Sequence, residues 1–135
     1  MMRKKPIAGS NKVVQDVLSA SSKPLGAYEV LERVKEMGIN GPPTVYRALD
    51  RLVKYGLAHR VASTRSYITC RHGAAHTAEA VLLVVCSFCD TVEEVSSKAI
   101  YNEIQAIRAE KHFKIRDEIL EIAGICRNCG GGRRA

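Results

Sequence analysis

Apolar residues in the first half of the chain fall into three helical stretches. Val13, Val14, Val17 and Leu18 recur at helical spacing after Ser10, which reads as an N-cap, and the polar residues 19–23 before Pro24 end that helix. A second helix is predicted from about Gly26 to Met37, with Val30, Leu31, Val34 and Met37 on one face and Gly38 as its stop. Pro42 and Pro43 suit the first turn of a third helix, where no intrahelical N–H is required. Over residues 44–55 the period points Val45, Ala48, Leu49, Leu52 and Val53 inward and Tyr46, Arg47, Asp50, Arg51 and Lys54 outward; Gly56 ends it. Residues 57–61 and 66–70 then read as two short strands joined by a polar turn, 62–65. Three helices and a hairpin make a winged helix-turn-helix.

The second half has a different rhythm. Residues 71–80 show no period and are predicted to be a hinge. Residues 81–86 read as a buried strand and 91–95 as its antiparallel partner. Ser96 or Ser97 caps a helix that carries Ile100, Ile104 and Ile107 at i, i+4 and i+7, and residues 113–116 and 119–125 read as further strands. The expected fold is therefore α+β: a winged helix-turn-helix domain (10–70), the hinge (71–80) and a small α/β dimerisation domain (81–129), flanked by a basic disordered tail (1–9) and a short disordered tail (130–135).

Length and composition admit one ordinary domain or two small ones. The chain has 135 residues, 46% of them hydrophobic, which is enough for a core, and no apolar run approaches the roughly 20 residues that span a bilayer. No signal-peptide pattern follows the basic start, so the expected location is the cytoplasm, with no membrane partner, where thiols stay reduced. The formal charge of +7 is uneven: residues 1–60 carry 11 Lys/Arg against 5 Asp/Glu, whereas residues 61–135 carry 10 against 9. That asymmetry implies a polyanion partner for the first half and leaves a near-neutral second half free to associate with protein.

The cysteines add chemistry. Cys86-Ser-Phe-Cys89 and Cys126-Arg-Asn-Cys129 are identical brackets, and a doubled CxxC in a reducing compartment points to Zn²⁺, because four thiolates suit its tetrahedral preference and each pair chelates from one tight turn. Disulfides are the competing reading. The 36 residues between the brackets exceed a small zinc-finger loop, so this zinc would close a whole subdomain and serve as a staple.

The third helix is the expected reader of double-stranded DNA. An α-helix fits the major groove, Arg47 can bond a guanine edge bidentately, and Tyr46, Arg51 and Lys54 lie on the same outward surface. Tyr28, at the start of the second helix, is a candidate backbone contact; for both tyrosines a half-buried core role competes. A single winged helix reads only a few base pairs, so a homodimer on two half-sites is expected.

Four cysteines close the staple and Cys70 is left over. His59 in the first strand of the hairpin, His72 and His76 in the hinge, and Glu94 in the next domain could join it in a mixed N/S/O metal site. Taken singly, each also reads as an ordinary strand or core residue. No Ser/His/Asp set, phosphate-cradling loop or paired-carboxylate motif is present, so neither an enzyme nor a small-molecule substrate is expected. A thiol redox protein is the remote alternative, disfavoured because neither CxxC opens a helix after a strand.

Pro42-Pro43-Thr44-Val45-Tyr46-Arg47-Ala48-Leu49, the hairpin Leu57-Ala58-His59-Arg60-Val61 leading to Ser66-Tyr67-Ile68-Thr69-Cys70, and the two CxxC brackets resemble the ferric uptake regulator (Fur) superfamily of bacterial metal-sensing repressors, over about residues 10–129. Within it, Cys70, the pair His76-Thr77 and Glu94 eight residues after Cys86 are most similar to the zinc uptake regulators. The resemblance implies a zinc-responsive dimeric repressor of zinc-acquisition genes, with two Zn²⁺ per chain. It places the structural zinc on Cys86, Cys89, Cys126 and Cys129, the regulatory zinc on His59, Cys70, His76 and Glu94 with His72 as a substitute, and DNA contacts on Tyr28, Tyr46 and Arg47. A thiolate ligand favours zinc over ferrous iron. An iron- or peroxide-sensing member of the superfamily is the alternative, weakened because the histidine-rich run of iron-type members before the first CxxC is absent. No third metal is expected, since the region where some relatives carry a late histidine reads Arg116-Asp117-Glu118.

Overall fold

The computed structural model describes residues 9–70, 79–115 and 119–130. The expectations for the terminal tails, for most of the hinge, and for His72 and His76 lie outside those residues. The chain divides into two compact units, Met1–Ala74 and Ala75–Ala135.

In the first unit the order is α1 (Ser10–Ala20), β1 (Leu25–Gly26), α2 (Ala27–Val34) with a 3₁₀ turn (Lys35–Met37), α3 (Pro42–Lys54), β2 (Ala58–Val61) and β3 (Ser66–Thr69). The helices form because their apolar residues share one face: Val14, Val17 and Leu18 of α1, Val30, Leu31 and Val34 of α2, and Val45, Ala48, Leu49 and Leu52 of α3 are buried in one core. Leu25, Leu57, Ala58 and Tyr67 bring the sheet into the same core. Gly38 ends the second helical stretch at φ 89, a left-handed conformation that glycine adopts without strain. The sheet order is β1-β3-β2, all antiparallel, with Ala58 opposite Thr69 and Leu25 opposite Tyr67. This is a winged helix-turn-helix.

Some local expectations need correction. Ser10 is the first residue of α1 and not its cap; Gly9, at φ 61, occupies that position and no side chain caps the helix. Met37, expected on the apolar face of the second helix, is 59% exposed, because the tighter 3₁₀ turn rotates it out of register with Val34.

In the second unit β4 (Ala80–Cys86), β5 (Val92–Ser97), α4 (Lys98–Lys111) and β6 (Ile119–Gly124) are followed by a 3₁₀ turn (Arg127–Cys129). The sheet order is β5-β4-β6: β5 returns antiparallel to β4, whereas β6 runs parallel to it, with α4 in the connection between β5 and β6. Ser97 caps α4, its Oγ accepting from the Ile100 N–H at 3.1 Å. The strand expected at 113–116 does not form over residues 113–115; the chain leaves α4 through His112 in the left-handed region, and Phe113 donates its N–H back to the Arg108 carbonyl as a helix end, with no strand partner. Among the described residues, no helix is long and apolar enough to cross a membrane.

Candidate metal centre and nucleic-acid interface

The parallel pairing of β4 and β6 brings the cysteine brackets together. Cys86 is the last residue of β4 and lies opposite Gly124, the last residue of β6. Both strands run the same way, so the knuckle after β4 and the knuckle after β6 emerge at one end of the sheet. The Ser87 N–H donates to the Gly124 carbonyl at 2.8 Å, fixing the two exits to each other. As a result the sulfurs of Cys86, Cys89, Cys126 and Cys129 all lie within 4.8 Å of one another.

All four are free thiols, and Cys89 Sγ to Cys126 Sγ is 3.7 Å, far longer than the roughly 2.05 Å of a disulfide. On a tetrahedral zinc with Zn–S near 2.3 Å, two sulfurs sit about 3.8 Å apart. The donor set therefore fits such an ion in both atom type and spacing, and the disulfide reading is set aside.

The knuckles are built to favour thiolate. The Cys126 N–H donates to Cys86 Sγ at 3.3 Å and the Phe88 N–H at 3.4 Å. Backbone N–H groups, that of Cys126 foremost and then that of Cys89, pull the Cys86 thiol down from 9.0 to about 6 against the opposing push of burial. Cys89 is also lowered, chiefly by Thr91, whose Oγ1 lies 3.0 Å from its sulfur. Cys129 goes the other way, up to about 12, because its thiol is hydrogen-bonded toward Cys126 and because burial and the neighbouring sulfurs of Cys86 and Cys89 disfavour another negative charge. Four sulfurs at this spacing cannot all ionise without a cation among them. Thr91 was not foreseen from the sequence; a hydroxyl two residues after a CxxC is the signal that could have found it.

In the first unit, a second pair of metal-ligating atoms is brought together. Antiparallel register sets His59 on β2 opposite Ile68, and the Cys70 N–H donates to the Leu57 carbonyl at 3.0 Å, extending the hairpin by one residue. A ring nitrogen of His59 and Cys70 Sγ fall within 4.8 Å of each other, and the two side chains are 4% and 8% exposed. A buried imidazole beside a buried thiol is a soft, dehydrated donor pair. Glu94 belongs to the second unit, half-buried on β5 opposite Leu83, whereas Glu93 beside it is exposed.

The predicted DNA-reading residues also lie where expected on α3. Arg47, Arg51 and Lys54 follow one another at i, i+4 and i+7 and are exposed, and none is held in an ion pair among the described residues. Tyr46 is 53% exposed and Tyr28, at the start of α2, 74%, so neither is a core side chain. Asp50 is exposed among the cations of the helix.

A winged helix carrying a cationic third helix, followed by an α/β unit with four clustered thiols, is the two-part architecture of metal-responsive, DNA-binding regulators. Residues 8–123 match the model of the ferric uptake regulator family, and the chain belongs to that family. Members of this family are transcription regulators and not enzymes, so the thiol redox reading falls away. The chain is 31% identical over 114 residues to the zinc uptake regulation protein of Escherichia coli (strain K12), covering 84% of this chain and 66%, just under two-thirds, of that relative. It is 32% identical over 121 residues to the ferric uptake regulation protein of Legionella pneumophila, covering 87% and 85%. Among solved structures, holo XcZur superposes with a TM-score of 0.83 at 28% identity, over 94% of this chain and 88% of that one. A zinc uptake regulator complexed with zinc and DNA gives 0.82 at 28% identity, over 92% and 83%.

Proposed function

We propose that the chain is a zinc-responsive repressor that binds operator DNA as a homodimer in the cytoplasm and controls zinc-acquisition genes. The observation that carries this reading is the buried His59–Cys70 pair on the hairpin of the winged helix, because it puts metal-ligating atoms inside the DNA-binding unit itself. A thiolate in that pair selects zinc over ferrous iron. Glu94 of the second unit and His76, or His72 in its place, complete the regulatory set; both histidines lie outside the described residues. Cys86, Cys89, Cys126 and Cys129 hold a second, structural zinc, giving two per chain.

Zinc, when bound, supplies a dehydrated divalent charge that locks its ligands in one arrangement. Everything else is the work of the chain. Arg47 reads a base edge, while Tyr28, Tyr46, Arg51 and Lys54 set the register on phosphates and sugars. The dimer forms through the second unit, where Val95 of β5, Leu82 of β4 and Leu120 of β6 make an apolar row across the sheet, with Val95 and Leu120 at 43% and 40% exposure. A coupling of about 1–3 kcal/mol between metal and DNA, roughly 5- to 150-fold in affinity, suffices for a switch. The likeness to a zinc uptake regulation protein, and to a zinc uptake regulator complexed with zinc and DNA, supports this reading.

The test is to select duplexes from a random-sequence pool with the full chain and to titrate the selected duplex at buffered free Zn²⁺ and, separately, Fe²⁺. Affinity is expected to rise with Zn²⁺. A rise with Fe²⁺ alone moves the protein to the iron-sensing reading, and metal-independent binding overturns the sensor.

A further inference from the structure

Where α4 ends, the second unit carries a cavity of about 400 Å³ lined by Gln105, Arg108, Lys114 and Ile115. The local backbone builds it. Gln105 and Arg108 stand at i and i+3 and so share one face of α4. At the helix end His112 takes φ 58 and ψ 36, a left-handed conformation that turns the chain back, and the N–H groups of His112 and Phe113 both donate to the Arg108 carbonyl. This reversal brings Lys114 and Ile115 beside the turn that carries Gln105 and Arg108.

The lining is cationic and arranged in advance. Gln105 Oε1 accepts from Arg108 Nε at 2.9 Å, which fixes the plane of the guanidinium and leaves the N–H groups of its two terminal nitrogens for another acceptor. Neither Arg108 nor Lys114 is held in an ion pair among the described residues, whereas Lys111, which does not line the cavity, is matched by Glu110 at 3.3 Å. No carboxylate is among the lining side chains. The dipole of α4 accounts for a cation in its last turn, but not for Lys114, which lies past the end of the helix, nor for an amide that orients Arg108. Half-buried Ile115 supplies an apolar wall.

We propose that this cavity binds a small multivalent oxyanion, a phosphate or a compact polycarboxylate, with Arg108 as a bidentate clamp and Lys114 as a second charge. A guanidinium meets a carboxylate or a phosphate through two parallel hydrogen bonds, and an ammonium adds a point charge without a fixed direction. The volume falls at the small end of the roughly 300–1,000 Å³ of ligand sites, which suits a compact anion. Duplex DNA is the poorer fit, because residues 61–135 carry 10 Lys/Arg against 9 Asp/Glu and offer no excess of positive charge for a long phosphate chain. None of the four residues is a proposed metal ligand or DNA contact, so the test stands apart from the function proposed above.

The experiment follows the backbone amide shifts of the isotope-labelled full chain, with its metal bound and none in excess, during titration with inorganic phosphate, succinate or chloride at matched ionic strength. Phosphate or succinate should give saturable shifts within residues 105–115, and chloride should not; the tighter of the two tells a phosphoryl ligand from a carboxylate one. Arg108 and Lys114 are exposed, so substituting them disturbs no core. Arg108→Gln and Lys114→Met should each weaken binding at least about tenfold, the loss expected for a charge-assisted hydrogen bond. Gln105→Ala should weaken it several-fold with little change in melting temperature, and Lys111→Ala should bind nearly as the parent does. Shifts that do not saturate, or that are equal for all three anions, overturn the proposal. Parental affinity in the Arg108→Gln, Lys114→Met double variant overturns it too, and a lower melting temperature in that case would make the two cations a cap for α4 and nothing more. If a duplex saturates the same amides while neither small anion does, the surface is a nucleic-acid contact and the small-ligand site is wrong.

Discussion

Cys89 and Cys126 place their sulfurs 3.7 Å apart although 37 positions separate them in the chain. The contact exists because β6 runs parallel to β4, so it closes a loop that contains β5, α4 and β6. Apparent zinc affinities at structural four-ligand sites are about 10–16 kcal/mol in peptides, as large as the roughly 5–15 kcal/mol that holds an ordinary domain together. Cys126→Ser is therefore expected to release the structural metal and unfold the second unit while the core of α1, α2 and α3 survives. Metal content per chain and limited proteolysis check this. A variant that keeps its metal and resists protease like the parent would show that the centre is no staple.

The thiols make a specific pH signature in the metal-free protein. Cys86 has a folded value of about 6 against 9.0 unfolded, so its contribution to stability is fully present above pH 9 and is lost as pH falls through 6. Cys129 has a folded value of about 12, so the folded state holds its proton longer than the unfolded state and stability declines between pH 9 and 12. The melting temperature of the metal-free chain should accordingly rise from pH 6 to 9 and fall beyond it. With zinc present the four sulfurs are ionised together, and the fall above pH 9 should disappear. A metal-free profile that declines from pH 6 to 9 would contradict the knuckle geometry around Cys86.

Much of this architecture is readable from residues alone, and the exceptions share a cause. α3 is legible because Pro42 and Pro43 open it, Gly56 follows it and Val45, Ala48, Leu49 and Leu52 keep a helical period between. The cysteine brackets are legible because metal chemistry demands their spacing. By contrast β1 is only Leu25–Gly26, too short to show a period, and exists because β3 offers it partners. Residues 113–115 have strand-like composition but leave α4 through a left-handed turn at His112, which no apolar pattern announces. The His59–Cys70 contact depends on hairpin register, set by the four turn residues between Val61 and Ser66. Counting cysteines singled out Cys70, but its nearness to His59 required the strands to be paired.

Cys70→Ser should separate the two proposed metal sites. The side chain is 8% exposed and the swap is nearly isosteric, so the fold should hold with a small loss of stability, about 1 kcal/mol for leaving a hydroxyl poorly paired. A neutral hydroxyl is a much weaker zinc ligand than a thiolate. The variant should bind one metal per chain where the proposed parent stoichiometry is two, and its DNA affinity should no longer change with free zinc. If the zinc response persists, the regulatory assignment of the His59–Cys70 pair is wrong.

Arg47 and Lys54 share one face of α3 but should fail in different ways. A guanidinium bonded bidentately to a guanine edge contributes about 1–3 kcal/mol of discrimination, so Arg47→Ala should lower affinity for a selected duplex roughly 5- to 150-fold and erase preference at one base position. Lys54, a point charge in the last turn, is assigned to the phosphate chain. Lys54→Ala should weaken selected and mixed-sequence duplexes equally and flatten the salt dependence by about 0.9, leaving base preference intact. Competition titrations of both variants against single-base-substituted duplexes at two salt concentrations distinguish these outcomes. Equal loss of base preference in both variants would mean that α3 does not enter the groove along the Arg47, Arg51 and Lys54 stripe.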